Sequence, residues 1–228
     1  MRPSGSARGG TLRDKSSASA HWRCPLQLRI SILALVLLAL LSLPRAQALG
    51  QNAAPAKADV VVHVADLPKS ALSEFDFWDG PASPRGKMIG TPNSGGDLDP
   101  PPEDDPHVTM MVKVQPATPY RCWIHMYVGK PKGVSKANLV WVQFTNAVDK
   151  ANTEVLKPGT KDYLTVRGPE KEGWVWVGSD RLVSFRAGDV TVRVQAGMEG
   201  VGFDQFVLSP SKFLEKAPSE NVVPKPAS

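Results

Sequence analysis

Two cysteines occur in 228 residues, Cys24 and Cys122, which rules out a disulfide framework and any Cys-x-x-Cys metal or redox pair. Cys122 stands alone in an apolar stretch and reads as a small buried hydrophobe rather than a catalytic thiol. Also missing are a Gly-x-Ser-x-Gly elbow, a His-Glu-x-x-His pair and a Gly-rich phosphate loop opening a helix. His63, His107 and His125 lie far apart, so they permit a metal cluster without suggesting one. His125 alternates with Arg121, Trp123 and Tyr127, the pattern of an ordinary polar-face histidine. Paired carboxylates meet only in space, so a polysaccharide hydrolase stays an alternative for which no residue speaks.

Excess basic charge is missing too, once the N-terminus is set aside. The whole chain carries +5, but residues 1 to 48 hold seven basic groups against Asp14 alone, leaving 20 basic and 21 acidic residues beyond them. A nucleic-acid partner is therefore not expected. The longest apolar run, Ile30 to Leu43, is shorter than the roughly 20 residues that span a bilayer, so no permanent membrane span is expected. With Arg29 before it and Ala46-Gln47-Ala48 after it, the run reads as a signal peptide cleaved after Ala48. The expected organisation is a signal peptide over 1–48, a linker over 49–58, a β-domain over 59–214 and a Pro-rich tail over 215–228, in a secreted or periplasmic protein. The tail is expected as an extended strap or a disordered end.

What is present from Asp59 onward is apolar period two. It predicts strands at 60–64, 108–115, 120–128, 138–144, 163–166, 174–177, 182–186, 190–195 and 203–208. Nine short strands without a helical period indicate an all-β antiparallel sandwich or barrel. Leu182 to Gln195 reads as the clearest hairpin, turning at Ala187-Gly188-Asp189, with Val190, Val192 and Val194 on a core face and Thr191, Arg193 and Gln195 on a wet one. Trp78 to His107 holds seven Pro and five Gly and is expected as a surface loop without regular structure. Its acidic stretch, 97–105, is interrupted by Pro100-Pro101-Pro102, which forbids the sharp Gly turn of an EF-hand, so it reads as a solvated loop.

Trp174 and Trp176 stand two apart, so in an extended strand they share one face while Val175 and Val177 share the other. Either the indoles are core, or the valines are core and an indole is offered to solvent or a ligand such as a sugar ring. The loop around Glu199 is the candidate polar edge of such a site, and Trp78 or Tyr127 would take over were both indoles buried.

Three segments together resemble galactose-binding-like β-sandwich domains of the bacterial carbohydrate-binding-module type: Thr118 to Ile124 with Leu139 to Phe144; Gly173 to Val177; and Val190 to Gln195 with Gly200 to Ser209. With Val60 to Asp66 as opening strand, the resemblance covers about residues 59 to 214. It implies a jelly roll and a non-catalytic module that binds a polysaccharide or other glycan; because no further segment is of catalytic size, the module is expected to act alone or through a separate enzyme or surface protein. It also implies a structural calcium ion, for which Asp66 and Asp204 are the matching acidic positions. The loop Gly197 to Gly202 departs from the pattern by lacking the Asn that often binds sugar. An extracellular structural or protein-interaction module is the alternative from a different class. The signal reading predicts an exported chain that begins at Leu49; its intact mass checks this, and a membrane-bound species retaining residues 1 to 48 would contradict it.

Overall fold

The computed structural model describes residues 58–92, 96–129 and 137–223. The expected signal peptide and nearly all of the linker lie outside them. The described residues form an antiparallel β-sandwich, with only two short 3-10 turns among them, Val64–Asp66 and Lys69–Ala71. Among the described residues no helix is long and apolar enough to cross a membrane.

One sheet is built on β13 (Gly202–Ser209). It pairs along one side with β6 (Arg121–Val128), which in turn pairs with β10 (Gly173–Gly178). The other side of β13 is shared by β4 (Lys87–Gly90) at its start and β1 (Val60–His63) beyond, and β3 (Asp76–Asp79) pairs with β4 at the edge. The second sheet has the order β2 (Leu72–Ser73), β5 (His107–Lys113), β12 (Asp189–Ala196), β7 (Leu139–Phe144), β9 (Leu164–Arg167). A small ribbon pairs β8 (Ala147–Val148) with β11 (Ser184–Phe185).

Alternation decides which faces meet. Cys122, Ile124, Met126 and Val128 of β6 and Val192 and Val194 of β12 are fully buried in one apolar core, and Phe144 meets Phe206 across it with ring centres 6.5 Å apart. Cys122 is indeed a buried small hydrophobe, and burial pushes its thiol well above the ordinary range. Val175 packs against this core and Val177 is buried in it, so the valines of β10 point inward.

Three expectations are corrected. Leu182 to Gln195 is not a hairpin, because β11 pairs with β8 while β12 is wedged between β5 and β7. The polar face of β12 is not wet, because the acidic loop lies over it: Arg193 Nη2 donates to Asp104 Oδ1 at 2.8 Å and Gln195 Nε2 to the Asp99 carbonyl at 2.9 Å. The Pro- and Gly-rich stretch contains β4 and shares β3, held by the register Gly90 to Gly202 and Phe77 to Ile89. Local composition there is overridden by pairing to β13, with Met88 and Ile89 buried. Since Ile124 is fully buried at the centre of the core, Ile124→Ala is expected to cost about 2 to 5 kcal/mol, measured by denaturant unfolding.

Candidate functional site

The inward valines force Trp174 and Trp176 onto the outer face of the β13 sheet, where both are half-buried. The register of β10 on β6 sets His125 opposite Trp176 and Tyr127 opposite Trp174. The His125 ring lies between the two indoles, 4.7 Å from Trp174 at 19° and 4.8 Å from Trp176 at 30°, and Tyr127 meets Trp174 at 5.5 Å. Four aromatic side chains thus form one continuous surface.

A bulge in β13 fixes the imidazole from below. The register on β6 slips between Phe203 and Gln205, leaving Asp204 as the extra residue, so Asp204 and Gln205 both reach the outer face. Asp204 is buried and its Oδ1 takes the Nδ1–H of His125 at 2.7 Å. Because a carboxylate only accepts, this bond assigns the tautomer and leaves Nε2 as the ring's remaining polar atom. The second carboxylate oxygen, Oδ2, has no hydrogen-bond partner.

Residues 210–223 cross this face as a strap that begins with a turn at Ser211 to Leu214 and has no regular secondary structure. Trp123 Nε1 donates to the Phe213 carbonyl at 2.6 Å, Arg121 Nε to the Leu214 carbonyl at 3.1 Å, and Trp176 Nε1 to the Glu220 carbonyl at 3.1 Å. Val222 is buried against Trp123 and Val207. Asn221 Nδ2 reaches the Ala82 carbonyl in the turn between β3 and β4 at 3.4 Å. Between the strap, that turn and the indoles lies a cavity of about 440 Å³, lined by His125, Trp174, Trp176, Ser219, Glu220 and Asn221 among others. Its size falls in the ordinary range for small-ligand sites, and it combines flat aromatic walls with a polar rim.

Glu199 does not join this cavity. Its Oε2 accepts the Gly96 N–H at 2.9 Å, and its own N–H is donated to the Gly96 carbonyl. It stands beside a second, smaller cavity of about 310 Å³ whose lining includes Asp97, Asn138, Trp141, Arg167 and Met198. Asp66 and Asp204 have different partners: Asp66 is exposed with Oδ2 3.7 Å from Arg85, whereas Asp204 is buried on His125. Among the described residues no three His, Cys, Asp or Glu side chains gather as a metal site. Asp66 and Asp204 enter the functional reading as partners of Arg85 and His125.

The sequence already set His125 among outward aromatic positions, but its bond to Asp204 depends on strand order and a bulge, neither of which local pattern reveals. Glu220 and Asn221 were hidden because they belong to the Pro-rich tail.

No family model matches the chain, and no curated protein matches it either. Among solved structures, it is similar to the C-terminal CBM6 of LamC, a marine laminarinase from Zobellia galactanivorans, at 11% identity over 66% of this chain and 98% of that one, with a TM-score of 0.42. It is also similar to the carbohydrate-binding module CBM6cm-2 from Cellvibrio mixtus lichenase 5A, solved in complex with cellotriose, at 11% identity over 65% of this chain and 95% of that one, TM-score 0.43. A third likeness, to Arthrobacter globiformis T6 isomalto-dextranase complexed with panose, has 16% identity and a TM-score of 0.38, and covers 60% of this chain but 21% of that one.

Removing His125 would leave a buried carboxylate with no partner for either oxygen. His125→Ala is therefore expected to cost on the order of 3 to 5 kcal/mol, more than truncating the half-buried Trp174, as read by denaturant unfolding of the two variants.

Proposed function

We propose that the chain is an exported, non-catalytic carbohydrate-binding module whose saccharide lies against Trp174 and Trp176. The observation that carries this reading is the cavity on the β13 sheet, where two half-buried indoles braced by His125 face a rim of Ser219, Glu220 and Asn221. A pyranose has one face of C–H groups that lies flat on an indole and a perimeter of hydroxyls that needs donors and acceptors. The cavity supplies both within one concavity. The expense of leaving two tryptophans partly in water supports the same reading, since each carries a large apolar surface that a purely structural sandwich would turn inward.

In this reading His125 and Asp204 are positioning residues: the buried carboxylate holds the imidazole, and the imidazole holds the indoles apart at a fixed spacing. Glu199 serves the loop at Gly96 and stands outside the sugar site. The module delivers a separate enzyme or surface protein to a glycan, or is held at one itself.

A glycan array probed with the exported chain tests the reading. Binding to one class of glycan is expected, with Trp174→Ala and Trp176→Ala each weakening it by about 1 to 2 kcal/mol, roughly five- to thirty-fold in Kd, while the fold persists. An array on which nothing binds would favour the structural module, and release of reducing sugar from mixed polysaccharides would favour the hydrolase.

A further inference from the structure

The strap over the aromatic face is fastened through one side chain whose orientation the backbone dictates. Gln205 Oε1 accepts the Val222 N–H at 3.1 Å, and Gln205 Nε2 donates to the Val222 carbonyl at 2.6 Å. A peptide N–H only donates and a peptide carbonyl only accepts, so the carboxamide cannot be reversed while the strap is docked. Its remaining Nε2 hydrogen points at Nδ1 of His63, 3.3 Å away on the adjacent strand β1. In the docked arrangement Nδ1 must therefore carry a lone pair. All three groups are buried, so a mismatch among them costs more than it would in water.

We propose that His63, Gln205 and Val222 form an acid-released latch: a proton on Nδ1 of His63 sets two donors against each other, the Gln205 carboxamide turns away, and the strap leaves the outer face, uncovering Trp123 and Trp176. The charged groups around His63 come from three elements: Asp66 on the 3-10 turn that follows it, Arg85 in the turn between β3 and β4, and Asp204 on β13. Burial and Arg85 hold the imidazole below the usual histidine range, outweighing the two carboxylates. The sign agrees with the geometry. The part of that depression that undocking relieves favours docking at higher pH and is lost as pH falls through the docked value. Between the undocked and docked values the docking constant drops by up to roughly tenfold per pH unit, the limit for one proton. The latch depends on how the strap is fastened and not on whether the cavity holds a sugar.

The indole N–H resonances of the exported chain test it, because Trp123 and Trp176 donate to strap carbonyls whereas Trp141 lies on the other sheet. Between about pH 7.5 and about pH 5, the Trp123 and Trp176 signals are expected to move together, with the Trp141 signal as a fixed reference. His63→Asn, whose carboxamide oxygen accepts without titrating, is expected to keep the docked signals at both values. Indoles that do not respond in the unaltered chain, or that respond with the same midpoint in His63→Asn, would overturn the latch. Should that variant not fold, the imidazole signal of His63 in the unaltered chain decides: its midpoint must coincide with that of the two indoles, and a separate midpoint, or one shared with unfolding of the whole sandwich, overturns the proposal.

Discussion

The bulge in β13 is the constraint on which the rest of the outer face depends. Without it, Asp204 and Gln205 would point to opposite sides, and one polar side chain would enter the apolar core among Phe203, Phe206 and Leu208. With it, both turn outward and take up separate duties. Asp204 receives His125, which spaces the indoles, and Gln205 receives the strap, which covers Trp123 and Val207. Burying two neighbouring polar groups is tolerable only because nearly every polar atom is bonded, with Asp204 Oδ2 the exception.

Both outer faces of the sandwich are closed by irregular chain, and each closure is made by polar side chains on a central strand. On β12, Arg193 and Gln195 hold the acidic loop through Asp104 and the Asp99 carbonyl. On β13, Gln205 holds the strap. Such closures satisfy backbone groups that would otherwise face apolar surface. On the β13 side they leave, instead of an open sheet, the gap between strap, β3–β4 turn and indoles. The aromatic surface is thereby reduced to a cavity of defined size.

Period two made the sandwich legible in the sequence, and it did so where side chains alternate without interruption, as in Arg121 to Val128 and Val190 to Gln195. The same rule reduced the tryptophan question to two alternatives, which the inward packing of Val175 and Val177 resolves. It failed where pairing rather than pattern creates a strand: Lys87–Gly90 sits in a stretch dense with Pro and Gly and is ordered by its partner on β13. It failed also at the supposed hairpin, since a turn signal between two strands does not say whether they pair with each other or with others. The site was half legible. Trp174, Trp176 and the outward His125 follow from spacing, but the strap residues carry no periodicity, and a bulge leaves no mark in composition. Glu199 was placed beside the indoles on an assumed loop position, whereas its carboxylate serves the backbone at Gly96.

The central claim is that Trp174 and Trp176 form the face on which a sugar lies. The most direct measurement is a titration of the chain with an oligosaccharide selected on the array, following all indole N–H resonances. The account predicts that Trp174 and Trp176 respond together and saturably, while Trp141, in the lining of the second cavity, does not. A saturable response confined to Trp141, or binding that leaves every indole unmoved, would contradict it.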